Sequence, residues 1–354
     1  MGGQAAAKAF FVRFAADVGL HHGSAEDQTE LIGFELFVKR AERAAVMRRK
    51  GFGHRDGIDM LSHKGSPYFF YGGDNTEIID TGSGVLLSGE EYFDPFISFE
   101  CGQCFRFEKT GENEYDFCAL GKRIHVRKSK EGYVFTGVTA EEFKSGLVSY
   151  FDLERDYGAI IKALSSDEHI AQAVKYCGGI RIFRQDPWET LASFIISQNN
   201  NIPRIKKIIN TLCVTLCGDE RIFPAPERLL EAGAEGLAPI RAGFRVKYLL
   251  DAAEKTVSGE IDPERIRALP YEEALAALKG IKGVGDKVAN CVLLFGYGFM
   301  DAFPVDVWVK KVIAGCYGED FTPKRFGEYA GIAQQYLFCY ERNFKSRVRE
   351  TADI

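Results

Sequence analysis

The chain lacks the features that would assign it to several protein classes at once. It has no run of about 18 uninterrupted apolar residues, which excludes a membrane-crossing helix. The first residues lack a basic stretch followed by an apolar core and a cleavage site, so no secretory leader is expected. Positive charge is not in excess: 45 Lys and Arg stand against 50 Asp and Glu, a formal net charge of −5. That balance argues against coating nucleic acid through bulk charge but leaves a local basic face open. No internal repeat of solenoid period is present. The 9 cysteines are odd in number and scattered, which does not describe a disulfide framework; a reducing compartment with small buried thiols is the simpler expectation. Cys101-Gly-Gln-Cys104 has the spacing of a redox or zinc half-site, but no second pair or His-x-x-x-His follows it, so no metal site is assigned.

What the sequence does contain is ordinary globular composition, 46% hydrophobic and 27% charged, over 354 residues. At roughly 150 residues per domain this predicts two domains, or one large domain with an appendage. Residues 1–66 are rich in Ala and Arg, with a helix expected over residues 30–50 and a Gly-rich break after it, and form an extension of unknown role. Residues 67–165 have the texture of a sheet domain: aromatic and β-branched runs at residues 76–80, 105–108, 115–120, 123–127 and 133–136, with hairpin signals at 110–113 and 130–132. Connections this short make the sheet antiparallel. From Thr139 onward the period is helical, giving an all-helical domain over residues 166–345 and a tail over 346–354. Asp186-Pro-Trp-Glu189 has the form of a capping box, opening a helix that ends at Gln198. A second helix starts near Pro203 with Ile205, Ile208, Ile209 and Leu212 inward and Arg204, Lys206 and Lys207 near its outer face. Further helices are predicted over residues 246–257, 271–279, 286–295, 307–313 and 323–340. The fold class is α+β, an antiparallel sheet domain followed by a helical one.

The chemistry concentrates in Leu278-Lys-Gly-Ile-Lys-Gly-Val-Gly-Asp-Lys287. A helix stops at Gly280, a tight turn uses Gly283 and Gly285, and a new helix opens near Asp286. Glycines let the backbone approach a ligand closely, and free N–H groups at a helix start attract an anion such as a phosphodiester. An ordinary helix-turn-helix corner explains the glycines but not Lys287 just inside the helix start, where the macrodipole disfavours an ammonium. A neutral amine is a nucleophile. Further on, Phe303-Pro-Val-Asp306-Val-Trp308 puts Asp306 where it can cap a helix; a capped carboxylate stays ionised and fixed, which suits a cationic transition state.

The glycine hairpin, Lys287 and Pro304-Val-Asp306 together resemble the helix-hairpin-helix DNA glycosylases with the Gly/Pro/Asp signature. Ser197-Gln-Asn199-Asn200-Asn201-Ile-Pro-Arg204 is similar to the triple-Asn element of their 8-oxoguanine branch. Gly243-Phe244-Arg245-Val-Lys-Tyr248 resembles its wedge loop, Gly102-Gln103-Cys-Phe-Arg106 its base-recognition strand, and Ala330-Gly-Ile-Ala-Gln334-Gln-Tyr-Leu-Phe338 its C-terminal recognition helix. The resemblance implies a role for each. A glycosylase extrudes its target nucleotide at a cost of a few kcal/mol and fills the hole left behind; Asn199 would fill it, Phe244 would wedge between base steps, and Arg204 and Arg245 would donate to the estranged cytosine. Gly102 would present its C=O to N7–H of 8-oxoguanine, a contact that guanine, with a lone pair at N7, cannot make. Gln334 would read the Watson–Crick edge, and Phe338 and Cys291 would sandwich the purine, although core packing explains each of those two equally well taken singly. Lys282 stands where relatives usually have Pro, which loosens the turn or adds a phosphate contact. Trp308 replaces the His of vertebrate-like members, and Cys101 and Cys104 replace the commoner Ser, which makes the Cys-x-x-Cys a coincidence of the recognition strand. Only Cys339 lies after Cys316, so the terminal iron–sulfur cluster of other superfamily branches is not expected.

The expected function is therefore that of a bifunctional 8-oxoguanine DNA glycosylase and AP lyase: Lys287 attacks C1′, forms a Schiff base and leads to β-elimination, with Asp306 stabilising positive charge. The expected partner is double-stranded DNA carrying 8-oxoguanine, with cytosine the preferred opposite base. No membrane is involved, the protein acts as a monomer, and no cofactor is required, although the hairpin could hold a structural cation. Residence would be cytoplasmic and nucleoid-associated in a bacterium, nuclear in a eukaryote. The alternatives are a non-catalytic lesion-sensing DNA-binding protein, against which the presence of both Lys287 and Asp306 speaks, and a glycosylase for a different damaged base.

Overall fold

A computed structural model describes residues 68–70 and 76–345. The chain divides into two compact units, Met1–Ser66 and Pro67–Ile354; all described residues belong to the second. The helix expected over residues 30–50 and the tail from residue 346 lie outside them.

Among the described residues, strands β1 (Tyr68–Phe70), β2 (Glu77–Asp80), β3 (Val85–Ser88), β4 (Phe107–Gly111), β5 (Glu114–Ala119), β6 (Lys122–Lys128) and β7 (Gly132–Thr136) form a sheet in the order β1-β2-β3-β7-β6-β5-β4. All adjacent pairs are antiparallel. Strands β5 and β7 alternate cleanly, burying Tyr115, Phe117, Tyr133 and Phe135 and turning the residues between them outward, which is why both are legible in the sequence. Strand β3 is not, because all of its residues are buried and no alternation marks it. The β5–β6 turn, at Leu120 (φ 54°) and Gly121 (φ 68°), has the left-handed backbone of a tight hairpin. Inward aromatics meet in a packed cluster, with ring centroids 5.0 Å apart for Phe99 and Phe117 and 5.2 Å for Phe151 and Phe183.

The helices carry the second core. In chain order they are α1 (Tyr157–Leu164), α2 (Glu168–Cys177), α3 (Pro187–Ser197), α4 (Ile202–Cys217), α5 (Pro226–Gly236), α6 (Val246–Val257), α7 (Pro263–Ala268), α8 (Tyr271–Lys279), α9 (Asp286–Val292), α10 (Val307–Val312) and α11 (Ala330–Tyr340). Helix α9 continues as a wide turn over Leu293–Tyr297. The single helix expected over residues 323–340 is interrupted: Pro323–Tyr329 is a tighter turn kinked at Gly327 (φ 57°) before α11 begins. Helix α3 is buried on nearly all sides from Thr190 to Ile196. Its expected capping box is half formed. Asp186 accepts from the Glu189 N–H at 2.8 Å, but the Glu189 carboxylate turns to Arg106 at 2.7 Å instead of the cap.

The sheet and the helices share one buried pin. Arg181, 2% exposed, donates to the carbonyls of Tyr92 (2.9 Å) and Asp152 (2.6 Å), pairs with Glu90 at 2.5 Å and lies 4.4 Å over the Tyr157 ring. A buried guanidinium is tolerable when its fork is filled in this way. Among the described residues, no helix is long and apolar enough to cross a membrane.

Candidate active site and DNA-facing loops

Helix α8 ends at Gly280, and the chain turns on Ile281 and Val284, both buried. Gly283 sits at φ 77°, and a Cβ there would lie 2.4 Å from the Tyr248 ring; only glycine satisfies both the torsion and the close approach. Gly285 has open space where a Cβ would be and precedes α9. Lys282 does not loosen this turn. Its backbone N–H, which a proline would lack, donates to Asp251 Oδ2 at 2.8 Å, and its ammonium pairs with Oδ1 at 3.1 Å. Lys255 lies 3.5 Å from the same carboxylate and donates to the Gly280 carbonyl at 2.5 Å. Burial pushes the Asp251 carboxyl up, but the Lys282 N–H and the two ammoniums outweigh it and hold the group below the usual carboxylate range. Sequence reading missed Asp251 and Lys255; their only trace is a Lys–Asp spacing of one helical turn on α6.

Lys287 lies in the first turn of α9, half-buried, with Nζ 5.0 Å from the centroid of Phe194 on α3. Cys291 follows one turn later and is buried. Burial pushes its thiol up to about 11, against the pull of the Lys287 ammonium and with a further push from Asp306. The three groups therefore form one electrostatic cluster. Asp306 caps α10, and both capping bonds, from Trp308 N–H (3.0 Å) and Val309 N–H (2.9 Å), fall on Oδ1. The other carboxylate oxygen is left off the cap. Trp308 is half-buried, with the Lys311 ammonium 4.4 Å over its ring.

Gly102 is not on a strand. It lies in a helical turn over Phe99–Gln103 at φ 76°, and strand β4 begins only at Phe107. The aromatic and basic texture from Phe105 onward suggested an earlier start; the Arg106 carbonyl still accepts from Cys118 N–H on β5 at 2.9 Å, while its side chain turns to Glu189. A Cβ at Gly102 would stand 3.3 Å from the Phe338 ring, so α11 and this turn meet face to face. Gln334, on the same helix, is 3% exposed. Its Oε1 is the one buried side-chain oxygen or nitrogen among the described residues that has no hydrogen-bond partner. Gln335, which the sequence reading passed over, is 2% exposed and donates to the Cys101 carbonyl at 3.0 Å. Two consecutive amides in an otherwise apolar helix were the available signal. Among the described residues no disulfide joins any of the cysteines.

The Asn loop between α3 and α4 divides its work. Asn199 is exposed and left-handed (φ 48°), Asn200 donates to the Ile196 carbonyl at 3.3 Å, and Asn201 caps α4 by accepting from Arg204 N–H at 3.0 Å. Phe244 is 50% exposed and meets Tyr248 edge-on at 5.8 Å, so one ring backs both Phe244 and the hairpin glycine. Arg204 is exposed, but Arg245 is 5% exposed. Its guanidinium lies 4.4 Å over Phe244 and donates to the carbonyls of Gln198 (2.8 Å), Asn199 (3.0 Å) and Ala242 (3.1 Å). Burial and the like charge of Arg204 lower its pKa from the ordinary arginine value. Lys206 is no surface cation either: it is half-buried with Nζ 3.8 Å over the Phe107 ring, and burial lowers its pKa.

Residues 85–191 match the 8-oxoguanine DNA glycosylase N-terminal domain, and residues 192–327 match the HhH-GPD superfamily of base excision DNA repair proteins. The chain is 29% identical over 279 residues to N-glycosylase/DNA lyase OGG1 of Arabidopsis thaliana, covering 69% of this chain and 76% of that protein. It is similar to the 8-oxoguanine glycosylase/lyase of Clostridium acetobutylicum, solved in complex with double-stranded DNA containing cytosine opposite 8-oxoguanine. The TM-score is 0.71 and the identity 37%, over 79% of this chain and 100% of that one. MBOgg1, solved with a low-affinity DNA ligand, matches with a TM-score of 0.72 and 38% identity over 77% of this chain and 99% of that one.

Proposed function

This chain belongs to the HhH-GPD superfamily of base excision DNA repair proteins, within its 8-oxoguanine glycosylase branch, and from that premise we infer that it excises 8-oxoguanine from duplex DNA and cleaves the strand at the resulting site. In the proposed reaction Lys287 Nζ attacks C1′ of the extruded nucleotide as the C1′–N9 bond breaks. The base leaves with a proton, the sugar ring opens to a Schiff base, and loss of a C2′ proton expels the 3′-phosphate. Asp306, with one oxygen off its cap, faces the positive charge that develops at C1′. Lys287 and Asp306 both act on the Cys291 thiol, which supports placing the two groups at one site.

The orphaned Gln334 Oε1 carries the reading of the substrate. Leaving a buried acceptor unpaired costs about 1–3 kcal/mol, and such a group invites a donor. The Watson–Crick edge of 8-oxoguanine offers N1–H and an exocyclic N–H, and the same helix sets Phe338 beside Gly102. Gly102 would accept from N7–H, Phe338 and Cys291 would flank the ring, and Asn199, Phe244 and Arg204 would occupy the gap in the duplex, with Gly283 and Gly285 letting the hairpin backbone approach a phosphate. Arg245, bonded to the carbonyls of Gln198, Asn199 and Ala242, shapes that loop and would meet the orphaned cytosine with the one N–H those bonds leave unused.

At the hairpin the Gly280 carbonyl already holds the Lys255 ammonium, a positive charge of the chain's own, and the proposed reaction needs no metal ion or cofactor. The protein acts as a monomer where chromosomal DNA lies, the nucleoid of a bacterium or the nucleus of a eukaryote. Single-turnover base release from duplexes carrying 8-oxoguanine, other damaged bases or guanine, each opposite all four bases, tests the reading. The fastest release is expected for 8-oxoguanine opposite cytosine; faster release of a different base would reassign the substrate.

A further inference from the structure

We propose that Gln335 is a positioning residue that sets lesion selectivity by tethering the peptide in front of Gly102 to the recognition helix, an inference that rests on the lesion-reading role given to Gly102. Gln335 Nε2 lies 3.0 Å from the Cys101 carbonyl oxygen and 2.9 Å from Cys101 Sγ. On the far side of Gly102, the buried Gln103 amide donates to the carbonyls of Ser98 (2.9 Å) and Arg181 (2.9 Å) and accepts from Phe183 N–H (2.8 Å). The Gln103 carbonyl accepts from Gln185 Nε2 at 2.7 Å. The Cys101 thiol donates to the Ser98 carbonyl at 3.1 Å and accepts from Gln103 at 3.3 Å. The residues on both sides of Gly102 are therefore tied down, while Gly102, at φ 76° and without a side chain, has little steric preference of its own.

The two ties differ in what they connect. Gln103 binds the turn to residues 98 and 181–185, none of which lies on α11. Gln335 binds the turn to α11, the element that carries Gln334 and Phe338. It thus keeps the proposed N7–H acceptor in register with the proposed readers of the other base edge and of the ring. Hydrogen bonds weaken steeply as they bend, so an acceptor free to swing would lose its preference for N7–H over a lone pair. Gln335 touches neither base nor reacting atoms in this scheme; it acts through Gly102.

The test measures affinity for duplexes carrying 8-oxoguanine or guanine opposite cytosine, in a Lys287→Gln background that stops turnover. Gln335→Met is expected to lower the ratio of the two affinities about tenfold, the size of one lost hydrogen bond, through weaker lesion binding at nearly constant guanine affinity. With Lys287 intact, Gln335→Met should cleave a preformed abasic duplex at close to the parental rate, because no base is read there; a merely structural role would depress every readout together. If Gln335→Met does not fold, Gln335→Asn, which withdraws the amide by one methylene, is measured against the same expectation. Selectivity preserved in the folded variant overturns the proposal. Gly102→Ala separates the two ways of failing. Selectivity lost there but kept on changing Gln335 removes the positioning role alone, whereas selectivity kept in both removes lesion reading by Gly102 as well.

Discussion

Gln334 and Asp306 each hold something back in the free protein, and each reserve can be removed by one substitution. The buried Oε1 of Gln334 has no partner, so Gln334→Met, close in shape and without the acceptor, should stabilise the free protein by up to about 1–3 kcal/mol while weakening lesion binding. Thermal unfolding and affinity for an 8-oxoguanine duplex check the two halves; a variant that is less stable and binds equally well would show that the orphan is not a reading group. Asp306 uses only Oδ1 for its cap, and Asn presents an equivalent carbonyl oxygen. Asp306→Asn should therefore keep the fold and DNA binding but slow base release on the order of 10²-fold. Single-turnover rates unchanged from wild type would leave Asp306 as a cap and nothing more.

Among the elements, the hairpin between α8 and α9 is the part most sensitive to backbone geometry. Gly283→Ala would drive a Cβ to 2.4 Å from the Tyr248 ring at a positive φ, and Tyr248 also backs the exposed Phe244. We expect the variant to be destabilised by about 2 kcal/mol or more and to bind even undamaged duplex more weakly; unchanged affinity for undamaged DNA would detach the hairpin from the backbone contact. How much of these elements can be read from sequence follows from how locally each is specified. Helices α6 and α8 occupy the residues expected of them because their apolar period and the glycine at or just past each end, Gly259 and Gly280, are local signals. Strand β3 shows no period because both of its faces are buried. The turn around Gly102 was misread as strand because its conformation is fixed from distant segments, by Gln335 and, through the Gln103 side chain, by Arg181 and Phe183. For the same reason the sequence marked Lys287, Asp306 and Gln334 through motif spacing, yet missed Asp251, which braces the hairpin from α6. Lys206 looked like a surface cation on helical period and Arg245 like a base-contacting one by resemblance, and only tertiary packing buries them, Arg245 under the Asn loop and Lys206 against Phe107.

For the whole molecule, a net charge of −5 leaves DNA contact to local cations, and burial of Lys206 and Arg245 narrows that set to exposed side chains such as Arg204, Lys207, Lys247, Lys282 and Lys310. Arg204 is then the more exposed of the two guanidiniums proposed to meet the orphaned base. It brings donors and no acceptors, which suits O2 and N3 of cytosine. Wild-type protein should excise 8-oxoguanine faster opposite cytosine than opposite adenine, and Arg204→Ala should lose most of that preference, on the order of tenfold per lost contact. Equal excision rates opposite cytosine and adenine in the wild type would contradict this role for Arg204.

The central claim, that Lys287 is the nucleophile of a lesion-specific glycosylase and lyase, is tested most directly by borohydride reduction during reaction with a duplex carrying 8-oxoguanine opposite cytosine. Reduction should trap the Schiff base as a stable protein–DNA adduct with wild-type protein and give none with Lys287→Gln, while the variant still binds the lesion duplex. An adduct formed equally well by Lys287→Gln, or no adduct from wild-type protein that releases the base, would contradict the account.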